Sequence, residues 1–344
     1  MNLSRTVTTH RNLDNFIGIK MNWYICKVRG LSMIPKIFIS SLILILSSFA
    51  CSTTESTTEP APVLQEKPKE VENSPVESYR QPVGDLVPNA LDVDGTERSY
   101  LSYRPVGLSD NIPVIIQFHG GSGTSKEAYY REGNLNGVAD SEGILMIYPQ
   151  AEISTGSVWN TLHSDEGNKV SADDFGFIEA IIDFLEEDNR IDTSRIYVAG
   201  YSNGAAMAYQ IACHLNDRVA GFVVHAGNFP LEEVISNEYP CDITGETPGL
   251  IFNGTADMTR PLEGIPTYAV SVRDGAQWWA DQNNSVSKTT SQDGNIERTI
   301  YVSEAGTEVQ LFIIEDGGHD WFNFTIDGMP LDAFTWDFFS TSSS

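Results

Sequence analysis

Ile196-Tyr-Val-Ala-Gly-Tyr-Ser-Asn-Gly-Ala-Ala-Met207 decides how this chain folds. Ile196, Tyr197 and Val198 favour an extended backbone, whereas Ala205, Ala206 and Met207 favour a helix, so the stretch passes from strand to helix within a few positions. The change falls on Gly200-Tyr-Ser-Asn-Gly204, a G-x-S-x-G pattern. So sharp a turn leaves no room for side chains at the two glycines and forces the serine between them into a strained conformation that exposes its hydroxyl. Ser202 is therefore read as a nucleophile. It stands at a helix N-terminus, where free backbone N–H groups and the positive end of the helix dipole lie beside a developing oxyanion.

Working outward, 114–118 and 144–148 before this stretch, and 219–225 and 249–252 after it, are continuous apolar runs typical of central parallel strands. Helical segments alternate with them, at 126–139, at 175–187 and directly after Ser202. In 175–187, Ile178, Ile181, Ile182 and Leu185 share one helical face, and Ser171-Ala-Asp-Asp174 supplies the cap. A helix near 270–282, strands at 298–303 and 309–314, and a closing helix at 331–339 complete the series. Residues 90–93 and 98–103 flank Asp94-Gly95 and read as a hairpin. This order predicts an α/β fold, with a mainly parallel central sheet covered by helices on both faces, no large lid, and one domain over 85–344.

With 41% hydrophobic and 20% charged residues the chain has an ordinary soluble composition, which argues against overall disorder. A formal net charge of −26 repels phosphate backbones and excludes nucleic acid as a partner. Residues 51–84 are rich in Ser, Thr, Glu and Pro, and they cannot bury enough apolar surface to offset the entropy of ordering, so they read as a tether. Ahead of them, Lys36 precedes an apolar run over 37–50 that has the length of a secretory signal rather than of a membrane span. Ala50-Cys51 followed by Ser52 and Thr53 is similar to a bacterial lipoprotein signal, in which the cysteine is lipidated and becomes the new N-terminus. Ser48 and Phe49 depart from that pattern and keep ordinary secretion as the alternative. Residues 1–50 are thus read as an extension and signal peptide, with Met33 as the expected start and Cys51 as the lipidation site. Membrane contact is expected only through that anchor, and the protein is expected to be a monomer.

A serine nucleophile needs a base, and the base needs an orienting acid. In the α/β-hydrolase arrangement these follow in the order Ser, Asp or Glu, His, each on a loop at the carboxyl end of a strand. Of six histidines only His214, His225 and His319 follow Ser202. His214 falls in a helix and His225 in a strand, which favours structural roles. His319, in Asp316-Gly-Gly-His-Asp-Trp321 after the strand at 309–314, is the expected base. The strand at 250–252 runs into Asn253-Gly-Thr-Ala-Asp257, which makes Asp257 the expected acid and Asp316 its rival. For the oxyanion, the amide of Asn203 is one expected donor. The loop Phe118-His-Gly-Gly-Ser-Gly123 supplies the other, at Gly121 first and Gly120 next.

Taken with Trp159-Asn160, Ala172-Asp-Asp-Phe-Gly-Phe-Ile178, Gly254-Thr-Ala-Asp257 and Asp332–Phe339, these motifs resemble the polyhydroxybutyrate depolymerase family of esterases, a group related to feruloyl and acetylxylan esterases. The resemblance covers 85–340 and implies the α/β-hydrolase fold and a serine esterase. Met258-Thr-Arg260 and Phe322-Asn-Phe324 depart from the family's usual residues, and because they flank the expected triad they bear on the substrate more than on the reaction.

Trp159 reads either as a platform on which phenolic acids or sugars stack or as a buried structural tryptophan. Cys213 and Cys241 are the cysteines left once Cys26 and Cys51 are set aside; they read as a disulfide in an oxidising compartment or as two buried thiols. No spacing of His or Cys suits a metal and no glycine-rich loop suits a nucleotide, so no cofactor is expected. The leading expectation is a secreted serine esterase acting on polyesters or on acylated polysaccharides. A peptidase on the same fold and a non-catalytic surface binding protein are the alternatives.

Overall fold

The computed structural model describes residues 83–131, 133, 135–162, 171–231, 241 and 243–342. The expected signal peptide, the expected lipidation site Cys51 and most of the expected tether fall outside them. Asp94 and Gly95 both adopt positive φ, 49° and 84°, as a two-residue hairpin turn requires. They join β1 (Asp85–Val93) to β2 (Thr96–Arg104) in unbroken antiparallel register.

From there strands and helices alternate. β3 (Ile112–Phe118), α1 (Ser125–Arg131), α2 (Leu135–Glu142) and β4 (Leu145–Pro149) come first. α3 (Asp174–Glu186), β5 (Ile191–Tyr201), α4 (Asn203–His214), β6 (Gly221–His225) and β7 (Gly249–Gly254) follow. α5 (Val272–Gln282), β8 (Ser285–Asp293), β9 (Ile296–Ser303), β10 (Glu308–Ile314), a short β11 (Thr325–Ile326) and β12 (Met329–Pro330) pair, and α6 (Leu331–Ser342) end the chain. The large sheet has the order β1-β2-β4-β3-β5-β6-β7-β10-β9-β8. β4, β3, β5, β6, β7 and β10 are parallel to one another, and antiparallel ribbons extend both edges. This is the α/β-hydrolase fold.

Because side chains alternate across a strand, the apolar runs feed two cores. Val114, Ile116, Ile196 and Val198 face a cluster with Phe177, Ile178, Ile181 and Ile182 of α3 and Met207 of α4. Ile115, Tyr197, Ala199 and Val223 face a second cluster with Ala139 of α2 and Phe334, Phe338 and Phe339 of α6. The Asp173 side chain caps α3 by accepting from the Gly176 amide. Asp174 and Arg98, both buried, form an ion pair at 2.5 Å, and the second Asp174 oxygen accepts the Asn160 amide at 2.8 Å. That pair ties β2 to the long loop after β4.

Two elements differ from the reading of the sequence. The helix expected over 126–139 is two helices, because Gly133 takes φ +84° and a side chain there would run into the Trp321 indole. β8 was not legible at all: Ser-Val-Ser-Lys-Thr-Thr-Ser-Gln-Asp is exposed along nearly its whole length. It is an edge strand held by pairing to β9 rather than by an apolar pattern, and its polar side chains protect it from further pairing.

Candidate active site

The six parallel strands end at one edge of the sheet, where side chains from separate loops converge. β5 ends at Tyr201 and α4 begins at Asn203, leaving Ser202 alone between them with φ 55° and ψ −112°. That left-handed backbone is costly for a residue with a Cβ, and the packing around it enforces it. A Cβ on Gly200 would overlap the Gly204 carbonyl, and one on Gly204 would overlap the carbonyls of Phe118 and His119. Only glycine at both positions lets strand, turn and helix pack so closely.

β7 and β10 carry the other two members. Their loops are stitched together: the Thr255 amide donates to the Ile314 carbonyl at 3.0 Å, the Ala256 amide to the Gly317 carbonyl at 2.9 Å, and the Asp316 amide to the Thr255 hydroxyl at 2.9 Å. Asp257 and His319 are thereby brought side by side. His319 Nε2 lies 2.8 Å from Ser202 Oγ and His319 Nδ1 lies 2.8 Å from Asp257 Oδ2. The other Asp257 oxygen accepts the amides of Thr259 at 2.8 Å and Arg260 at 2.7 Å. Asp257 is wholly buried while the His319 ring stays 22% exposed, so only the imidazole and the serine face an incoming molecule. Facing a carboxylate, Nδ1 carries the ring proton and leaves the Nε2 lone pair to take the serine proton. Asp316 is an exposed turn residue at φ 59°, and it is Asp257 that contacts His319.

On the opposite side of the serine, Gly121 lies against Asn203, and a Cβ on Gly121 would stand 3.4 Å from the Asn203 Cβ. The Asn203 amide, in the first turn of α4, has no acceptor within the helix. His119 shapes this loop. Its Nδ1 is 2.7 Å from the Gly120 carbonyl, and its Nε2 accepts the Ala151 amide at 3.1 Å. Burial pushes this imidazole down to about 4, so it stays neutral.

Trp159 is buried. Its ring is 2% exposed, packs edge-on against Phe118 and donates Nε1–H to the His119 carbonyl at 2.9 Å. It packs against the start of the loop that follows β3. Its amide donates to the Asn203 side-chain oxygen at 2.7 Å, fastening the loop after β4 to the residue beside Ser202.

Other predicted positions lie away from Ser202, His319 and Asp257. Cys213, near the end of α4, is disulfide-bonded to Cys241, with Cα atoms 5.0 Å apart. His214 ends α4 and its ring meets Phe175. His225 ends β6, buried between Trp321 and Phe252. Tyr201 was missed: its hydroxyl donates to the His319 carbonyl at 2.7 Å and its ring leans on the imidazole. The variable position of the G-x-S-x-G pattern gave no signal beyond being aromatic.

Among the described residues no cluster of His, Cys, Asp or Glu is grouped to hold a metal ion, and no helix is long and apolar enough to cross a membrane.

Residues 98–241 match the sequence profile of a family described as "Esterase PHB depolymerase". The protein named "Putative esterase NocK" of Nocardia uniformis subsp. tsuyamanensis is 29% identical over 238 residues, 66% of this chain and 65% of that protein. Acetylxylan esterase A of Aspergillus oryzae is 24% identical over 212 residues, 58% of this chain and 60% of that protein. The chain thus spans less than two thirds of the length of these curated relatives. Among solved structures, the acetyl xylan esterase from Aspergillus awamori shares the fold, with a TM-score of 0.54 at 18% identity over 74% of this chain and 99% of that one.

Proposed function

We propose that the chain is a serine hydrolase of carboxylic esters of the polyhydroxybutyrate-depolymerase type, a reading supported by the profile match over residues 98–241 and by its esterase relatives. The observation that carries the reading is the line of contacts from Ser202 Oγ through both nitrogens of His319 to Asp257, each 2.8 Å long.

In this reading Ser202 Oγ attacks the ester carbonyl carbon while His319 Nε2 takes the hydroxyl proton. The carbonyl oxygen becomes an oxyanion that accepts from the amides of Asn203 and Gly121, donors held in place before the reaction begins. Collapse breaks the bond to the alkoxy oxygen, which leaves with the proton from His319 as an alcohol. Water, deprotonated by the same nitrogen, then attacks the acyl-enzyme, and the acid departs with Ser202 restored. Asp257 holds the imidazole's orientation and favours its charged form throughout.

For the substrate we propose esters of the kinds hydrolysed across this family, either polyester chains or acyl groups on polysaccharides. The apolar run before Cys51 supports export and lipid anchoring at that cysteine, with 51–84 as the tether and 85–344 as the catalytic domain. Release of nitrophenol from short acyl esters, set against peptide amides and a panel of feruloyl, acetyl-xylan and hydroxybutyrate substrates, tests the proposal. Turnover of amides alone, or of nothing in the panel, would overturn it.

A further inference from the structure

Starting from Ser202, a chain of contacts closes into a ring. His319 meets Ser202 and Asp257. Asp257 holds the Arg260 amide, and the Arg260 guanidinium sits over the Tyr268 ring, 5.9 Å from its centroid. The Tyr268 hydroxyl and the Thr161 hydroxyl are 2.7 Å apart. Two residues before Thr161, the Trp159 amide bonds to Asn203, the neighbour of the nucleophile. Arg260 is thus tied to the site twice, by its amide to Asp257 and by its guanidinium to Tyr268, whose hydroxyl meets Thr161.

The backbone at Arg260 is fixed. Its carbonyl accepts from the Asn253 side chain at 3.1 Å, and the next carbonyl, of Pro261, accepts from Asn228 at 2.9 Å. The side chain is less well satisfied. Its Nε is buried without a hydrogen-bond acceptor, and among the described residues no carboxylate lies within ion-pair distance of the guanidinium. Arg98, Arg190, Arg195, Arg218, Arg273 and Arg298 are all paired with carboxylates. In a chain of net charge −26, a guanidinium with a buried, unsatisfied Nε and no carboxylate partner, three residues after Asp257, calls for an anionic partner. A guanidinium backed by an aromatic face presents a planar fork suited to a carboxylate.

We propose that Arg260 selects esters that carry a carboxylate, either on the acyl chain or on the alcohol. The inference rests on the esterase reading above and narrows its substrate class.

Two matched pairs of esters test it and separate the two positions of the charge. 4-Nitrophenyl octanoate and the mono-4-nitrophenyl ester of suberic acid differ only by an acyl-side carboxylate. 4-Acetoxybenzamide and 4-acetoxybenzoate differ by one on the alcohol side. In the unsubstituted protein kcat/KM favours the carboxylate member of one pair. Arg260→Gln lowers that ratio about tenfold or more, as loss of a charge-assisted hydrogen bond would, and Arg260→Lys restores part of it. As a check that needs no variant, suberate or 4-hydroxybenzoate should inhibit neutral-ester hydrolysis at lower concentration than its amide counterpart. Hydrolysis of the neutral esters with no such ratio, and no change in it on Arg260→Gln, would overturn the role of Arg260 alone. Failure of the unsubstituted protein to hydrolyse any of the four would overturn the esterase reading and this inference together.

Discussion

The hydroxyl of Tyr201 donates to the carbonyl oxygen of His319 at 2.7 Å, so the residue just before Ser202 holds the loop that carries His319. Two loops from strands far apart in sequence are thereby set at a fixed distance. Tyr201→Phe keeps the ring against the imidazole but frees that carbonyl. The expected result is a fall in kcat of about tenfold, with the thermal midpoint changed little, since one hydrogen bond is worth about 1 kcal/mol. An unchanged kcat would show that the loop is held by its backbone contacts to β7 alone.

His119 offers a second handle on the site. By holding the Gly120 carbonyl it sets the plane of the peptide that follows, and across a trans peptide the Gly121 N–H points the opposite way. His119→Ala should therefore lower kcat by about tenfold to a thousandfold with little change in KM, in line with loss of one oxyanion donor. A rise in KM with kcat preserved would remove this loop from the chemistry.

Stability should depend on pH through two buried rings. Burial pushes His119 down to about 4 and His225 down to about 3, against 6.5 for a free histidine. Below pH 6.5 the unfolded chain takes up protons at both rings while the folded protein does not, so stability is lost as pH falls from 6.5 towards 4. With nearly two protons at stake near pH 5, the loss is about 2.5 kcal/mol per pH unit, and His225→Leu should roughly halve it. Denaturant unfolding between pH 7 and pH 5 checks this, and a flat profile would contradict it.

The Cys213–Cys241 bond closes a loop with a sequence separation of 28 from the far end of α4, the helix that begins just after Ser202. In the chain-entropy account such a loop is worth about 3–4 kcal/mol. Reduction, Cys213→Ser and Cys241→Ser should each lower the thermal midpoint by similar amounts. Titration of two free thiols in the denatured, unreduced domain would contradict the bond.

Much of this was legible because the sequence imposes it locally. Gly200 and Gly204 bracket a turn that no other residue fits, and the order Ser, Asp, His along successive strand ends left few choices. What could not be read was set by tertiary contact. β8 has no apolar pattern of its own, the break at Gly133 answers to the distant Trp321, and the face of Trp159 is covered by Phe118 and His119 from another strand end. Arg260 stood out in the sequence only as an unusual residue after the acid. Its place beside Tyr268 depends on a loop that folds back from Pro261.

In the proposed mechanism Ser202, His319 and Asp257 act as one unit on an ester. The measurement is kcat on a nitrophenyl ester for Ser202→Ala, His319→Ala and the double variant, with Asp257→Asn and Asp316→Asn beside them. Each alanine variant should lower kcat by about 10⁴–10⁶, the double variant should be scarcely worse than either, and Asp257→Asn should cost on the order of 10⁴. Asp316→Asn should leave turnover near normal. Near-normal turnover in Ser202→Ala or His319→Ala, or losses that multiply in the double variant, would contradict the claim, and loss of turnover in Asp316→Asn with Asp257→Asn unaffected would move the acid to the loop before His319.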